Sequence, residues 1–399
     1  MGEVALILLG VVLGIAGDEG YAFVKKRLDS RRQGTVRRRL ATATDPVRHA
    51  ANLGEIFGRH GLADHLFRPA TTQDTAPLPL VHDAAHRFVG DLPAASDGPL
   101  RLTEPDRVDF PYDQAVIEQM RRGGVELWDG SLLYSVNDGP LDGALPVGVC
   151  NYFAYVDLCH RVLRESDKPK GEKPYLLGSL RTFDDAICGV IRPLVIAATA
   201  TCVFDDGSGG LETAIQRRSP QVVVARGMYA AAPVFGLESN VIGRATSRFG
   251  IVTYNVLKEI LEEYFDEPEL TRAGDHPAGA HPDWIFRTEH GRRLVDEVDA
   301  GRILLRCTGA AIDVLDGSLV LAVLAQFTSP EYAREVKLSA RGSWESDHTS
   351  GPRIEFVPLH GLELEARMSI ETMTASSIYS LDRAREYLRP RDARPGPEA

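Results

Sequence analysis

Lys258, Glu259, Glu262 and Glu263, within the run YNVLKEILEEYF at residues 254–265, are the side chains whose types and spacing bear most directly on chemistry. At about 100° per residue the three glutamates fall within an arc of about 100°, with Leu257, Ile260, Leu261 and Tyr264 opposite. One face is expected to pack and the other to be acidic. Carboxylates one turn apart repel by only about 0.2–0.5 kcal/mol per pair, so a solvated amphipathic helix carries them without difficulty. A divalent cation also neutralises them, and oxygen ligands on one rigid element suit Mg²⁺ or Mn²⁺. Such an ion can bridge the oxygens of a diphosphate, stabilise a leaving group and lower the pKa of an attacking water.

The elements that must position this helix are mostly strands. RPLVIAATATCVF predicts a long apolar strand, DDGSGG a hairpin turn and LETAIQRRS the returning strand. QVVVARGMYAAAPVFG predicts a further strand ending in a Pro-containing turn before the helix. Beyond the helix, AIDVLDGSLVLAVLAQF predicts a hairpin turning at Asp316-Gly317, RIEFVPL a last strand and SSIYSLDRAREYL a closing helix. TRAGDHPAGAHPDW is a polar insertion. Upstream, DQAVIEQMRRGG predicts an amphipathic helix, GSLLYSV a strand, and GVCNYFAYVDLCHRVL an apolar stretch.

KEILEEYF resembles the second half of the Nudix hydrolase signature, in which Arg-Glu-aliphatic-x-Glu-Glu lies on a helix and holds divalent metal against a pyrophosphate. Lys258 stands where that family has arginine. The resemblance implies metal-ligand roles for Glu259, Glu262 and Glu263, with Mg²⁺ or Mn²⁺ as cofactor and Lys258 beside them in the catalytic set. AIQRRS looks like the family's strand ending in Gln-Arg, which puts Gln216, Arg217 and Arg218 within reach of phosphates. APVFGLE looks like its Pro-x-Gly turn. The sequence departs from the signature where Gly and the first Glu belong, at Arg244 and Gly250. Gly236 and Glu238 are candidate displaced equivalents. A lysine cannot copy a guanidinium fork. The resemblance spans roughly residues 186–390 and is specific over the helix alone. A general base is unassigned; Glu289, Glu297 and Glu331 qualify by position only.

Other constellations favour structural roles. His82 and His86 share the i, i+4 spacing of a zinc pair, but Asp83 replaces the glutamate of the peptidase motif and no third ligand is evident. Cys159-His160 reads as a buried thiol beside a partly exposed imidazole. Five scattered cysteines form neither a zinc pattern nor a disulfide framework.

The chain has 399 residues, 44% hydrophobic and 25% charged, with a formal charge of -11, which suits a globular protein and argues against a dedicated nucleic-acid binder. Val4 to Ala16 is uncharged but too short for a hydrocarbon core of about 30 Å; continuing to Val24 supplies the length. Lys25, Lys26, Arg27, Arg31 and Arg32 follow, so the positive-inside rule predicts a single-pass inner-membrane anchor with a cytoplasmic body and basic contacts to lipid headgroups. A buried core helix and a cleaved signal are the competing readings.

The expected organisation is an anchor at 1–28, a basic connector at 29–75, a smaller α+β region at 76–175, a Nudix-like α/β/α sandwich with a mixed sheet at 176–390, and a disordered tail at 391–399. The expected function is a membrane-anchored protein that binds and hydrolyses a nucleoside-diphosphate-linked substrate with Mg²⁺ or Mn²⁺. The alternative is a catalytically weak nucleotide sensor, an arrangement similar to membrane-tethered Nudix effectors of bacterial anti-phage signalling. A third reading is a tethered interaction protein without a ligand. Self-association as a homo-oligomer stays open.

Overall fold

The computed structural model describes residues 51–52, 55, 63–70, 77–125, 127, 130–136, 143–166, 183–184, 194–219, 222, 225–238, 241–242, 245–267, 281–342 and 354–389. The expected anchor and its basic flank, the boundary near 174, most of the polar insertion and the tail lie outside them. Among the described residues no helix is long and apolar enough to cross a membrane.

The chain runs β1 (Leu80–His82), β2 (Gly90–Asp91), β3 (Leu100–Val108), α1 (Gln114–Arg122), β4 (Ser131–Ser135), β5 (Leu145–Asn151) and α2 (Tyr152–Ser166). It continues with β6 (Leu194–Asp205), β7 (Leu211–Arg217), β8 (Tyr229–Ala231), β9 (Val234–Gly236), β10 (Val241–Ile242), β11 (Ala245–Thr246) and α3 (Ile251–Phe265). A 3₁₀ turn (Pro282–Arg287), α4 (Glu289–Asp299), β12 (Ile303–Asp313), β13 (Leu319–Phe327), α5 (Pro330–Ser339), β14 (Ile354–Pro358), α6 (Leu362–Arg367) and α7 (Ala375–Leu388) complete it. The fold is mixed α+β around one large mixed sheet.

β6 is the centre because ten of its twelve residues are buried, as a strand covered on both faces requires. It runs parallel to β13 along one side, from Ile196 opposite Leu319 to Phe204 opposite Phe327. On its other side it meets β4 at Val195, β9 at Ala198 and β7 at Val203, all antiparallel. The β6–β7 hairpin closes as the DDGSGG run predicts: the Asp206 carboxylate accepts from the backbone N–H groups of Ser208 and Gly210. The β12–β13 hairpin turns at Asp316-Gly317, where Gly317 supplies a φ of 77°.

Alternation along the strands separates two cores. Leu319, Leu321, Val323 and Phe327 of β13 join Val252, Val256 and Ile260 of α3, with Leu294 of α4 and Tyr332 and Val336 of α5, on one face. Ala322 and Leu324 point the other way and join Ile378, Tyr379 and Leu381 of α7 and Leu364 of α6. Helices therefore cover both faces of the sheet. β12 carries a bulge between Cys307 and Gly309; a Cβ at Gly309 would lie 2.4 Å from the Tyr379 hydroxyl, so α7 approaches closely there.

The upstream and downstream stretches share this sheet and core. β4 pairs with β6, β1 and β2 pair with β12, and Leu145, Val147 and Leu158 belong to the same cluster as Ile196 and Val252.

Three runs divide more finely than residue order indicates. The run at 221–236 is not one strand: β8 and β9 are three residues each and break at Ala232-Pro233, since proline offers no N–H to a ladder. The apolar stretch from 148 divides into the end of β5 and the start of α2. His82 and His86 do not share a helix: His82 ends β1 and His86 sits in a turn at φ 53°.

Candidate functional site

α3 begins earlier than its charged half, at Ile251, and its start is set by a neighbouring turn. Gly250 N–H donates to the Ala94 carbonyl at 2.8 Å, and the Ile251 N–H donates to Asp97 Oδ1 at 3.1 Å, which caps a helix whose own N-cap residue has no side chain. A Cβ on Gly250 would fall 1.7 Å from the Ser96 carbonyl oxygen. The backbone of residues 96–97 leaves no room for any side chain at Gly250, including the glutamate that the Nudix resemblance would place there.

The helix does not present an acidic face to water. Every residue of α3 except Glu259 is buried, and Glu259 itself is only 15% exposed. This removes the alternative of an amphipathic helix with one solvated side. The sheet lies on one side, α4, α5 and the 3₁₀ turn on another, with the Tyr254 hydroxyl donating to the Pro282 carbonyl at 3.1 Å. Burying carboxylates without partners costs several kcal/mol, about 3–5 when one member of a buried pair is missing, so the charges have to be answered from within the protein.

Lys258 answers them. Its Nζ donates to Glu262 Oε2 at 2.9 Å and to Glu259 Oε1 at 3.1 Å, and lies 3.8 Å from Glu238 Oε2. Burial works against the ammonium, but Glu238, Glu259 and Glu262 outweigh it and raise its pKa above the ordinary lysine value. Lys258 is therefore charged at neutral pH. Burial pushes the Glu262 carboxyl upward, against the pull of Lys258. Glu262 Oε1 is buried with no hydrogen-bond partner among the described residues. Glu263 points elsewhere: its Oε2 accepts from Gln216 Nε2 of β7 at 2.8 Å.

No protein-family model matches the sequence, and comparison with curated proteins gives no significant match.

Lys258 thus gathers Glu259 and Glu262 of α3 and Glu238 of the chain after β9, while Gln216 of β7 and Glu263 form a separate pair. The other residues singled out from sequence are placed differently. Arg217 is exposed and its Nε donates to the Gly227 carbonyl at 3.0 Å. Arg218 is buried beyond the end of β7, on the same side of the chain as Gln216. Gly236 pairs with Ala197 in the sheet, where a Cβ would meet Leu132 Cδ2 at 2.7 Å, so its role is close packing of strand against side chain. Of the base candidates, Glu289 and Glu331 are exposed, and buried Glu297 is held by Arg302 at 2.6 Å and Arg293 at 3.1 Å.

Asn255, fully buried, is the residue that sequence reasoning missed. Its Oδ1 accepts from the Glu238 N–H at 2.9 Å and its Nδ2 donates to the Glu238 carbonyl at 2.8 Å, so one side-chain amide satisfies both backbone groups of Glu238 just beyond β9. A second contact to the Ile251 carbonyl fixes the amide on the helix. Asn255, Lys258, Glu259 and Glu262 follow the i, i+3, i+4, i+7 pattern of one helical stripe, and a lone amide in an apolar run was the available signal.

The Nudix resemblance implies a divalent ion among the three glutamates. In the observed arrangement they do not fit it as a set. The position toward which Glu259 and Glu262 converge holds the Lys258 ammonium, and Glu263 is engaged with Gln216. Among the described residues, no group of three or more His, Cys, Asp or Glu is placed to hold a metal ion.

Proposed function

We propose that this chain is a Nudix-like ligand-binding protein with an α/β/α sandwich, carried on an N-terminal membrane anchor, which recognises a nucleoside-diphosphate-type molecule and turns it over slowly or not at all. The observation that carries this reading is the Lys258 ammonium at the centre of Glu238, Glu259 and Glu262. Hydrolysis by the Nudix route needs those carboxylates free for metal and water, whereas here they are neutralised internally. The signature's first glutamate is replaced by Gly250, whose surroundings exclude a side chain. Binding of a ligand retains support from the gathering of polar groups from separate elements around one buried cluster, and from the helices on both faces of the mixed sheet.

Among the described residues three carboxylates face one ammonium, so an anionic ligand is held best when positive charge accompanies it. A nucleotide panel screened with and without Mg²⁺ or Mn²⁺, reading both melting temperature and product, tests the proposal. The expected result is a metal-dependent rise in melting temperature with at least one nucleotide and little product. Rapid turnover restores the hydrolase reading. No shift with any nucleotide leaves the tethered interaction protein as the better account.

A further inference from the structure

We propose that Lys258 is a tethered counter-ion occupying the place of a divalent metal between Glu238, Glu259 and Glu262, so that removing its charge converts the cluster into a cation site. The inference rests on reading this cluster as the ligand site. It is tested with metal alone, so it can fail while nucleotide binding succeeds, or the reverse.

The stoichiometry is that of a cation site. An ammonium has three N–H donors, and three carboxylate oxygens lie 2.9, 3.1 and 3.8 Å from it. Those oxygens come from one helix and the segment that follows β9, and the Asn255 clamp holds the backbone of that segment. Glu262 provides a second, independent indication. Its side chain is 6% exposed, and while Oε2 serves Lys258, Oε1 is buried without a partner among the described residues. An oxygen in that state has a lone pair to offer and pays for its desolvation with nothing. Access exists from one side, because Glu259 is 15% and Glu238 30% exposed. Lys258 is only 5% exposed, so it cannot move to solvent without stranding the carboxylates, which is why it competes with a free ion.

The experiment is a Mn²⁺ titration without nucleotide, followed by the electron paramagnetic resonance signal of free Mn²⁺. It uses the full chain and the variants Lys258→Met, Lys258→Gln, Lys258→Arg and Lys258→Met with Glu259→Gln. Lys258→Met and Lys258→Gln are expected to bind one Mn²⁺ at least tenfold more tightly than wild type, and to melt higher in Mg²⁺ than in NaCl of equal ionic strength. Lys258→Arg, which keeps the charge, should behave as wild type. The double variant should lose the gain. The Gln amide keeps a donor toward Glu262, so that variant retains the fold if the Met variant does not. No gain in Mn²⁺ affinity with either neutral residue overturns the proposal. So does a wild-type protein that already binds Mn²⁺ as tightly as they do.

Discussion

The Asn255 amide joins the helix to the segment after β9 that carries Glu238. Asn255→Ala strips partners from a backbone N–H and a carbonyl at a part-buried position, at about 1–3 kcal/mol for each group left unsatisfied. Urea unfolding should show a loss of about 2–3 kcal/mol, and the metal-dependent nucleotide shift should shrink because Glu238 is no longer held beside Lys258. A variant as stable as wild type would show that the clamp is dispensable. His82 gives a second test at this scale. Its Nδ1 lies 3.0 Å from the Tyr379 hydroxyl, which itself donates to the Ala310 carbonyl. Burial, and after it the charge of Arg383, lowers its pKa to about 4. The unfolded chain binds this proton near pH 6.5, so stability is full above that value and falls as pH drops toward 4. Allowing for partial exposure, the loss is on the order of 1–2 kcal/mol. His82→Gln should flatten that part of the stability curve; parallel curves for the two proteins would reject the assignment.

At the scale of elements, the start of α3 depends on a glycine for reasons of space. Gly250 has an ordinary φ of -66°, so conformational freedom is not its reason; the Ser96 carbonyl oxygen occupies the space a side chain needs. Gly250→Ala must push the 96–97 turn away from the helix, which breaks the Asp97 cap and opens the core around Leu92 and Val252. The expected cost is about 3 kcal/mol or more, the upper end for overpacking, with a corresponding fall in the urea midpoint. Gly250→Glu, with a larger side chain in the same space, should be worse and should not create hydrolase activity. A stable, active Gly250→Glu protein would contradict the packing described for this turn.

For the whole molecule, the joint sheet decides what can fold alone. Removing β1–β5 leaves unpaired edges on β6 and β12 and takes Leu145, Val147 and Leu158 out of a core shared with α3. A fragment of residues 176–399 is expected to aggregate or to unfold without a cooperative transition, whereas the full chain should show one. Circular dichroism melts of both distinguish the outcomes. A fragment with a sharp, native-like transition would mean that the downstream stretch is an independent domain after all.

Much of this was legible in residue order, and the exceptions share a cause. The hairpins at DDGSGG and Asp316-Gly317, the central strand at 194–205 and the helices at 114–122, 251–265 and 375–388 announce themselves through local turn chemistry and periodicity, which depend on near neighbours. The three glutamates and Lys258 were visible as a group for the same reason. What covers that group was not. A 3.6-residue period shows that charged and apolar side chains separate around a helix, but whether the charged side meets water or other protein is set by elements far along the chain: the 96–97 turn, the segment after β9 at Glu238, Gln216 on β7, and α4 and α5. Tertiary packing alone buried the stripe. In doing so it made an internal ammonium the partner those carboxylates required.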